Sequence, residues 1–354
     1  TPPTTTCPAD ITVNNDPGIC GAVVTYADPV GTDTCGSTTT TQTGGLASGA
    51  TYPVGTTTNT FLIEDECGNS TICTFDVTVV DNEPPVAVCM DITVQLDANG
   101  DASIVPSDVD GGSTDNCGIA SLAVSPSTFT CADVGPNNVT LTVTDIYGNS
   151  STCIAVVTVE DNVPPVAVCM NIDAFLDASG SVTITAADVD GGSTDACGIA
   201  SLAIDRDTFT CDADLGPNDV VLTVTDNNGN TSTCVAVVTV IDAIDPTIAC
   251  PADIAVNTDP GQCFTVVTFP DALALDNCTV TVAQTGGLPS GSMFPVGVNT
   301  VEYTATDSSG NTAVCTFTIT VTDNEPPVAV CMDITIQLDA NGDATITPAD
   351  IDGG

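Results

Sequence analysis

The chain has 354 residues, 46 acidic side chains, one basic residue (Arg206), no His and no Trp, for a formal net charge of −45. Without Lys and Arg it cannot neutralise nucleic-acid phosphates or be drawn to anionic lipids. Without His and Lys it cannot build Ser-His-Asp or Cys-His nucleophiles, Schiff bases or His-ligated metal centres, so cations, neutral surfaces, glycans and further copies of the chain remain as partners.

The acidity is not that of a disordered tail. Hydrophobic residues make up 42% of the chain, and mean hydropathy is positive, whereas disordered acidic segments are poor in apolar residues. Only 13 residues are aromatic. Val, Ile, Thr and Ala fill the cores instead, a β-branched palette that favours strands. No apolar run approaches the roughly 18 residues of a membrane helix, so no membrane insertion is expected in this segment.

Repeats dominate the chain order. Asp81-Asn-Glu-Pro-Pro-Val-Ala-Val-Cys-Met90 returns with one change at Asp161–Met170 and unchanged at Asp323–Met332, and a degenerate copy occupies Asp242–Cys250. These copies divide the sequence into modules at 1–82, 83–162, 163–243 and 244–324, with 325–354 opening a fifth. The first and fourth share Cys-Pro-Ala-Asp-Ile (7–11 and 250–254), Gln-Thr-Gly-Gly-Leu (42–46 and 284–288) and a Tyr/Phe-Pro-Val-Gly motif (52–55 and 294–297). The second, third and partial fifth share Asp-Val/Ile-Asp-Gly-Gly (108–112, 188–192, 350–354).

Within a module, short alternating runs are punctuated every 8–12 residues by turn formers, the pattern of an all-β sandwich. In the second module the predicted strands are Ile92–Leu96, Ser103–Val105, Ile119–Val124, Thr128–Cys131, Val139–Thr144 and Cys153–Glu160, with turns at Asn99-Gly100 and Tyr147–Asn149. The fold class is therefore all-β, with tandem Ig-like or fibronectin-like sandwiches of about 80 residues. Pro-Pro in the linkers stiffens each joint, which predicts an extended rod.

The first and fourth modules resemble the hyalin repeat (HYR) domain. The likeness runs through Cys-Pro-Ala-Asp-Ile, Asp276-Asn-Cys278, Phe294-Pro-Val-Gly297, Thr304–Asn311 and Cys315–Val321. The second and third keep the Asp-x-Cys, Thr-Asp-x-x-Gly-Asn and final-strand features, and are similar to variant repeats beside HYR modules in long bacterial surface adhesins. The resemblance implies extracellular, Ig-like modules with adhesive or structural roles and no catalytic residues.

Eighteen Cys in an array of β modules read as a disulfide framework formed in an oxidising compartment. Four Cys per module allow three connectivities. Strand order favours Cys7–Cys35, Cys89–Cys117, Cys169–Cys197 and Cys250–Cys278 at one end of each sandwich. The remaining pairs are then Cys20–Cys73, Cys131–Cys153, Cys211–Cys234 and Cys263–Cys315. Cys67 replaces a turn Ser and is expected to be a free thiol, and Cys331 opens the fifth module.

Asp accounts for 40 of the 46 acids. Three positions recur: the linker (Asp81, Glu83; Asp161; Asp242, Asp245; Asp323, Glu325), the loop after the second strand (Asp108, Asp110, Asp115, Asn116; Asp188, Asp190, Asp195; Asp276), and the last hairpin turn (Asp145, Asp226, Asp307). In an Ig-like topology these meet at one end of the sandwich, where converging oxygens suit Ca²⁺. The competing reading is that Asp and Asn form turns and keep a secreted chain soluble. Asp97–Asp101 has half an EF-hand pattern and reads as a hairpin turn. Sequons stand at Asn69, Asn138, Asn149, Asn230 and Asn277.

The function these features point to is a structural or adhesive segment of a long extracellular or cell-surface repeat protein, stiffened by disulfides and Ca²⁺ and not an enzyme. Its partners would be other copies, neighbouring repeats, glycans or cell surfaces. Alternatives are spacer or glycan-binding modules of a secreted enzyme, or a subunit of a homopolymeric appendage.

Overall fold

Period-2 alternation sorts the apolar residues onto one face of each strand. The computed structural model, which describes residues 1–34 and 36–354, shows the outcome. In Ser70–Val80, Cys73, Phe75, Val77 and Val79 are buried and the residues between them are not. The chain divides into two units: Thr1–Val166 with Thr194–Ser201 and Val224–Ser232, and Ala167–Ser193 with Leu202–Thr223 and Thr233–Gly354.

In the first unit, Ile11–Asn14, Ser70–Val80, Gly55–Asp65 and Thr38–Gly44 form a four-stranded sheet in that order. The opening strand runs parallel to the closing one, Ile11 opposite Val77, and the other pairings are antiparallel. A short ladder of Gly21–Val23 on Thr51–Pro53 covers it. Ala22 and Tyr52 from that ladder pack with Phe61, Ile63, Phe75, Val77 and Val79 from the sheet.

The second repeat has the same plan: Ile92–Gln95, Ser150–Glu160, Gly135–Asp145 and Ile119–Ser125, with Asp101–Ser103 on Thr128–Thr130. So does the fourth, in the second unit: Ile254–Asn257, Thr312–Thr322, Gly297–Asp307 and Val280–Gly286, with Phe264–Val266 on Met293–Pro295. In the third, Ile172–Phe175 runs parallel to the closing strand with Ile172 opposite Val238, and Ser181–Thr183 pairs with Thr208–Thr210. The fold is all-β, a series of tandem sandwiches.

Local features differ from the sequence expectation: the short strand lies at Asp101–Ser103 rather than Ser103–Val105, and the closing strand begins at Ser150 rather than Cys153. The last hairpin of the second repeat begins at Gly135, not Val139, because the ladder continues through polar Asn137 and Asn138 to pair Gly135 with Val159. Backbone pairing is indifferent to side-chain polarity, so the apolar run understates the strand. In the predicted loop, Pro106–Val109 forms one helical turn that buries Val109, with Asp108 accepting the Val105 N–H at 2.7 Å.

The disulfides overturn the pairing expected from strand order. Within each repeat the bridges are Cys7–Cys73, Cys89–Cys153, Cys169–Cys234 and Cys250–Cys315. The parallel pairing is the reason: with Ile11 opposite Val77 and Ile254 opposite Ile319, Cys7 lies level with Cys73 and Cys250 with Cys315, and Cys89 comes within one residue of the level of Cys153. The other three bridges link successive repeats, as Cys20–Cys117, Cys131–Cys197 and Cys211–Cys278. The Asp-x-Cys loop does lie at the end facing the preceding repeat, and its Cys reaches into that repeat rather than back into its own.

Cys89–Cys117, Cys169–Cys197, Cys250–Cys278, Cys20–Cys73, Cys131–Cys153 and Cys211–Cys234 are therefore all replaced. Cys7–Cys35 fails because Cys73 takes Cys7, while Cys35 itself lies outside the described residues. Cys263–Cys315 fails because Cys250 takes Cys315; Cys263, Cys67 and Cys331 are exposed and unbridged among the described residues. Non-reducing peptide mapping should recover linked peptides for Cys20–Cys117, Cys131–Cys197 and Cys211–Cys278; recovery of Cys89–Cys117 instead would refute this framework.

The sole basic side chain is fully used. Arg206 pairs with Asp214, which is 6% exposed, and its guanidinium lies 4.4 Å from the centroid of the buried Phe209 ring. The Arg206 hydrogen bond holds the Asp214 carboxyl below its ordinary range, against the opposing effect of burial. A depressed carboxyl stabilises the fold above its unfolded pKa and loses that contribution as pH falls through the depressed value. Arg206→Met should cost about 1 kcal/mol at neutral pH, since Arg206 is 39% exposed and solvent screens the pair. Hydrogen exchange of the Thr208–Asp214 amides should show the difference at pH 7, and it should vanish under acid.

Candidate cation centre at the repeat boundaries

Three acidic side chains from separate segments meet at the first boundary. Asp81 follows the closing strand of the first repeat, Asp115 sits in the Asp-x-Cys loop of the second, and Asp145 starts its last hairpin turn. One carboxylate oxygen from each lies within 4.8 Å of the others. Asp81 is 5% exposed and Asp145 2%.

Their hydrogen bonding is unequal. Asp145 is satisfied: Oδ1 accepts the Tyr147 and Asn149 N–H groups at 2.8 and 2.9 Å, and Oδ2 accepts Asn149 Nδ2 at 2.8 Å. Burial pushes its carboxyl up, but these bonds outweigh burial and hold it below the ordinary range. Asn149 Nδ2 also donates to the Asp81 carbonyl at 3.2 Å, fastening the turn to the linker. Asp81 is left short: Oδ1 accepts the Glu83 N–H at 3.1 Å, and Oδ2 is buried without a partner. Burial, with the negative charges of Asp145, Asp115 and Glu83, raises its pKa despite that bond. Asp115 Oδ1 accepts the Cys117 and Gly118 N–H groups, while its Oδ2 and Asn116 Oδ1 are buried without partners.

The arrangement recurs at the second and third boundaries. Asp161 and Asp242 are 7% and 5% exposed, each with a buried, unpartnered Oδ2. Asp161 groups with Asp195 and Cys197, and Asp242 with Asp276 and Cys278. Both sulfurs are in disulfides and offer no thiolate. Asp226 and Asp307 repeat the role of Asp145, and Asn230 and Asn311 reach back to the Asp161 and Asp242 carbonyls at 3.0 and 3.1 Å.

Other acids expected at this site have separate work. Asp108 and Asp188 accept the Val105 and Thr185 N–H groups. Asp110 and Asp190 each accept a Ser N–H and hydroxyl, from Ser113 and Ser193. Glu83 Oε2 accepts the Gly18 N–H at 2.7 Å, and Glu325 Oε2 accepts that of Gly261 at the same distance. Asp323 accepts the Glu325 N–H. Asp245 lines a shallow cavity with Asp276 and Asn277. Asp97 Oδ1 accepts the Asn99 and Asp101 N–H groups, the hairpin turn expected.

The sequence did not single out Asn116 and Asn277 as boundary clamps. Their amides donate to the Ile19 and Asp177 carbonyls of the preceding repeat, both at 3.1 Å. The available signal was an Asn directly before the Asp-x-Cys cysteine.

The HYR domain model matches residues 1–79 and 241–321, the two modules whose motifs resemble it. The chain is similar to hyalin of Strongylocentrotus purpuratus, 33% identical over 348 residues, covering 94% of this chain and 29% of that protein. It is similar to hyalin of Lytechinus variegatus, 31% identical over 346 residues, covering 92% and 64%. It thus spans less than two thirds of either relative, and both alignments run across the second and third repeats. An 89-residue stretch is 44% identical to the Rattus norvegicus sushi, von Willebrand factor type A, EGF and pentraxin domain-containing protein 1, covering 25% of this chain and 2% of that one.

These relatives are animal proteins and lend no support to the bacterial-adhesin resemblance of the second and third modules. Among solved structures, the protocadherin gammaB4 extracellular domain aligns with a TM-score of 0.29 at 14% identity, covering 91% of this chain and 67% of that one. Sidekick-1 immunoglobulin domains 1–5 align at 0.31 and 10%, covering 91% and 81%. Two HYR matches, the hyalin relatives and seven disulfides among the described residues make this an extracellular repeat segment. No helix among the described residues is long and apolar enough to cross a membrane.

The Asn149 clamp can be tested directly. Asn149→Ala should cost about 1 kcal/mol and speed amide exchange at Tyr147 and residue 149; unchanged exchange there would show that the clamp contributes nothing.

Proposed function

We propose that the chain is a structural, load-bearing segment of a longer extracellular adhesive protein. One observation carries this reading. The seven disulfide loops span 7–73, 20–117, 89–153, 131–197, 169–234, 211–278 and 250–315, and each overlaps the next. Every peptide bond from Cys7 to Cys315 therefore lies inside at least one loop, and no single cut in that span separates the chain.

The same topology limits stretch. A covalent path through the four bridges within repeats crosses only three free stretches, 73–89, 153–169 and 234–250, each of 16 residues. At ~3.5 Å per residue those stretches give about 170 Å of extension, against roughly 1,000 Å for the reduced chain over the same span. The bridges between repeats supply a second load path past each of those stretches. An enzyme or soluble binding module has little need of either property, whereas a tether between cells, glycans or other copies of the protein needs both.

A specific protease site inserted between Pro84 and Pro85 tests the reading. After cleavage, the chain should migrate as one species without reductant and as two with it. In a Cys20→Ser, Cys117→Ser variant the pieces should separate without reductant. Separation of the cut parent chain under non-reducing conditions would overturn the proposal.

A further inference from the structure

We infer that each repeat boundary holds one Ca²⁺, bound by the linker Asp of one repeat and the Asp-x-Cys loop of the next. The sites pair Asp81 with Asp115, Asp161 with Asp195, and Asp242 with Asp276. This goes beyond the load-bearing reading and stands independently of it.

Clustered acids alone would not justify a site, because Asp is common in turns. The decisive feature is that Asp81, Asp161 and Asp242 are each more than nine-tenths buried and each keeps an Oδ2 with no partner. A buried carboxylate oxygen without a donor costs free energy that a fold normally recovers by hydrogen bonding. The donors present, including the Asn277 amide at the third boundary, reach Oδ1 only, so nothing within the protein compensates Oδ2. Acids elsewhere in the chain, such as Asp97, Asp110 and Asp145, find N–H groups. The linker acids leave an oxygen over at three successive boundaries, and each time it is the same oxygen of the same repeat position.

The chemistry favours Ca²⁺. With no His in the chain and the neighbouring sulfurs oxidised, only oxygen ligands remain, the preference of a hard cation. Ligands on opposite sides of Ca²⁺, at about 2.3–2.6 Å each, stand roughly 4.6–5.2 Å apart. The carboxylate oxygens of Asp81, Asp115 and Asp145, of Asp161 and Asp195, and of Asp242 and Asp276, within 4.8 Å of one another in each group, fall inside that sphere. Mg²⁺ demands near-ideal octahedral geometry and gives up its waters reluctantly, so an irregular set of protein oxygens suits it less.

The sites are unequal. Asn116 Oδ1 and Asn277 Oδ1 are buried without partners beside the first and third groups, and each can add a neutral ligand. The second boundary has Ala196 at that position and lacks the amide. It should bind most weakly.

Calcium titration of the full oxidised chain by calorimetry, with terbium luminescence as a second probe, tests this. Three equivalents are expected for the described boundaries, one weaker than the other two. Asp81→Asn should remove one tight equivalent while circular dichroism and the disulfide map stay unchanged. Asp108→Asn, which alters only a helix cap, should leave all three. Ala196→Asn should tighten the weakest site severalfold, a gain that misfolding cannot mimic. Absence of binding at millimolar Ca²⁺, or three equivalents retained in the Asp81→Asn, Asp161→Asn, Asp242→Asn variant, would overturn the inference. The cleavage experiment above needs no cation, so either proposal can fail alone.

Discussion

The parallel pairing of each opening strand with the closing strand of the same repeat constrains both the bridges and the boundaries of this chain. A parallel pair needs a long connection, and here the whole sandwich lies between its two strands. Ile11 meets Val77, Ile92 meets Val157, Ile172 meets Val238 and Ile254 meets Ile319. This register brings the first cysteine beside the closing strand. It also delivers the chain into the linker at Asp81, Asp161 or Asp242, where the next repeat begins. Once that pairing forms, the bridge within the repeat has one available partner. The Asp-x-Cys cysteine lies at the end facing the repeat before it and bridges to that repeat, while the remaining cysteine bridges onward to the next.

With 46 acids and one Arg, the fold cannot rely on ion pairs. It uses backbone amides instead. Asp65, Asp97, Asp145, Asp177, Asp226, Asp307 and Asp339 each accept N–H groups two and four residues ahead. Those bonds favour the ionised carboxylate and hold each of these groups below its ordinary pKa. So the reading of Asp as a turn former describes much of the charge. It fails for the linker acids, where burial is deep and an oxygen goes unpaired.

The repeat period, the all-β class and the order of the strands, though not their exact bounds, were legible in the sequence, because alternation and turn residues are local signals. The Asp97 turn was legible for the same reason. Disulfide partners were not, since two cysteines at one end of a sandwich can close within a repeat or across a boundary with equal sequence economy. Only the register of Ile92 on Val157 decides between them. Nor could the sequence separate Asp108 and Asp110 from Asp115, all within eight residues in one loop. The one-turn helix at Pro106–Val109 gives Asp108 a capping role, Asp110 bonds Ser113, and Asp115 remains for the boundary.

The two kinds of repeat place their outgoing cysteine differently, at Cys20 before a strand in the first and at Cys131 after a strand in the second. The short ladder reconciles them. Gly21 pairs with Pro53, so Cys20 precedes the first strand of its ladder; Asp101 pairs with Thr130, so Cys131 follows the second strand of its own. In an antiparallel pair, the start of one strand and the end of its partner lie side by side. Both cysteines therefore emerge at the same end, and Cys131 Sγ lies 3.8 Å from the carbonyl of Gly100, the residue before Asp101. The incoming cysteine stands in the same Asp-x-Cys loop in either kind. One kind can thus follow the other with the boundary chemistry unchanged, as Cys20–Cys117, Cys131–Cys197 and Cys211–Cys278 do in turn. Divergent repeat interiors are compatible with a common joint because the ladder, rather than the position of the cysteine in the sequence, sets where the bridge begins.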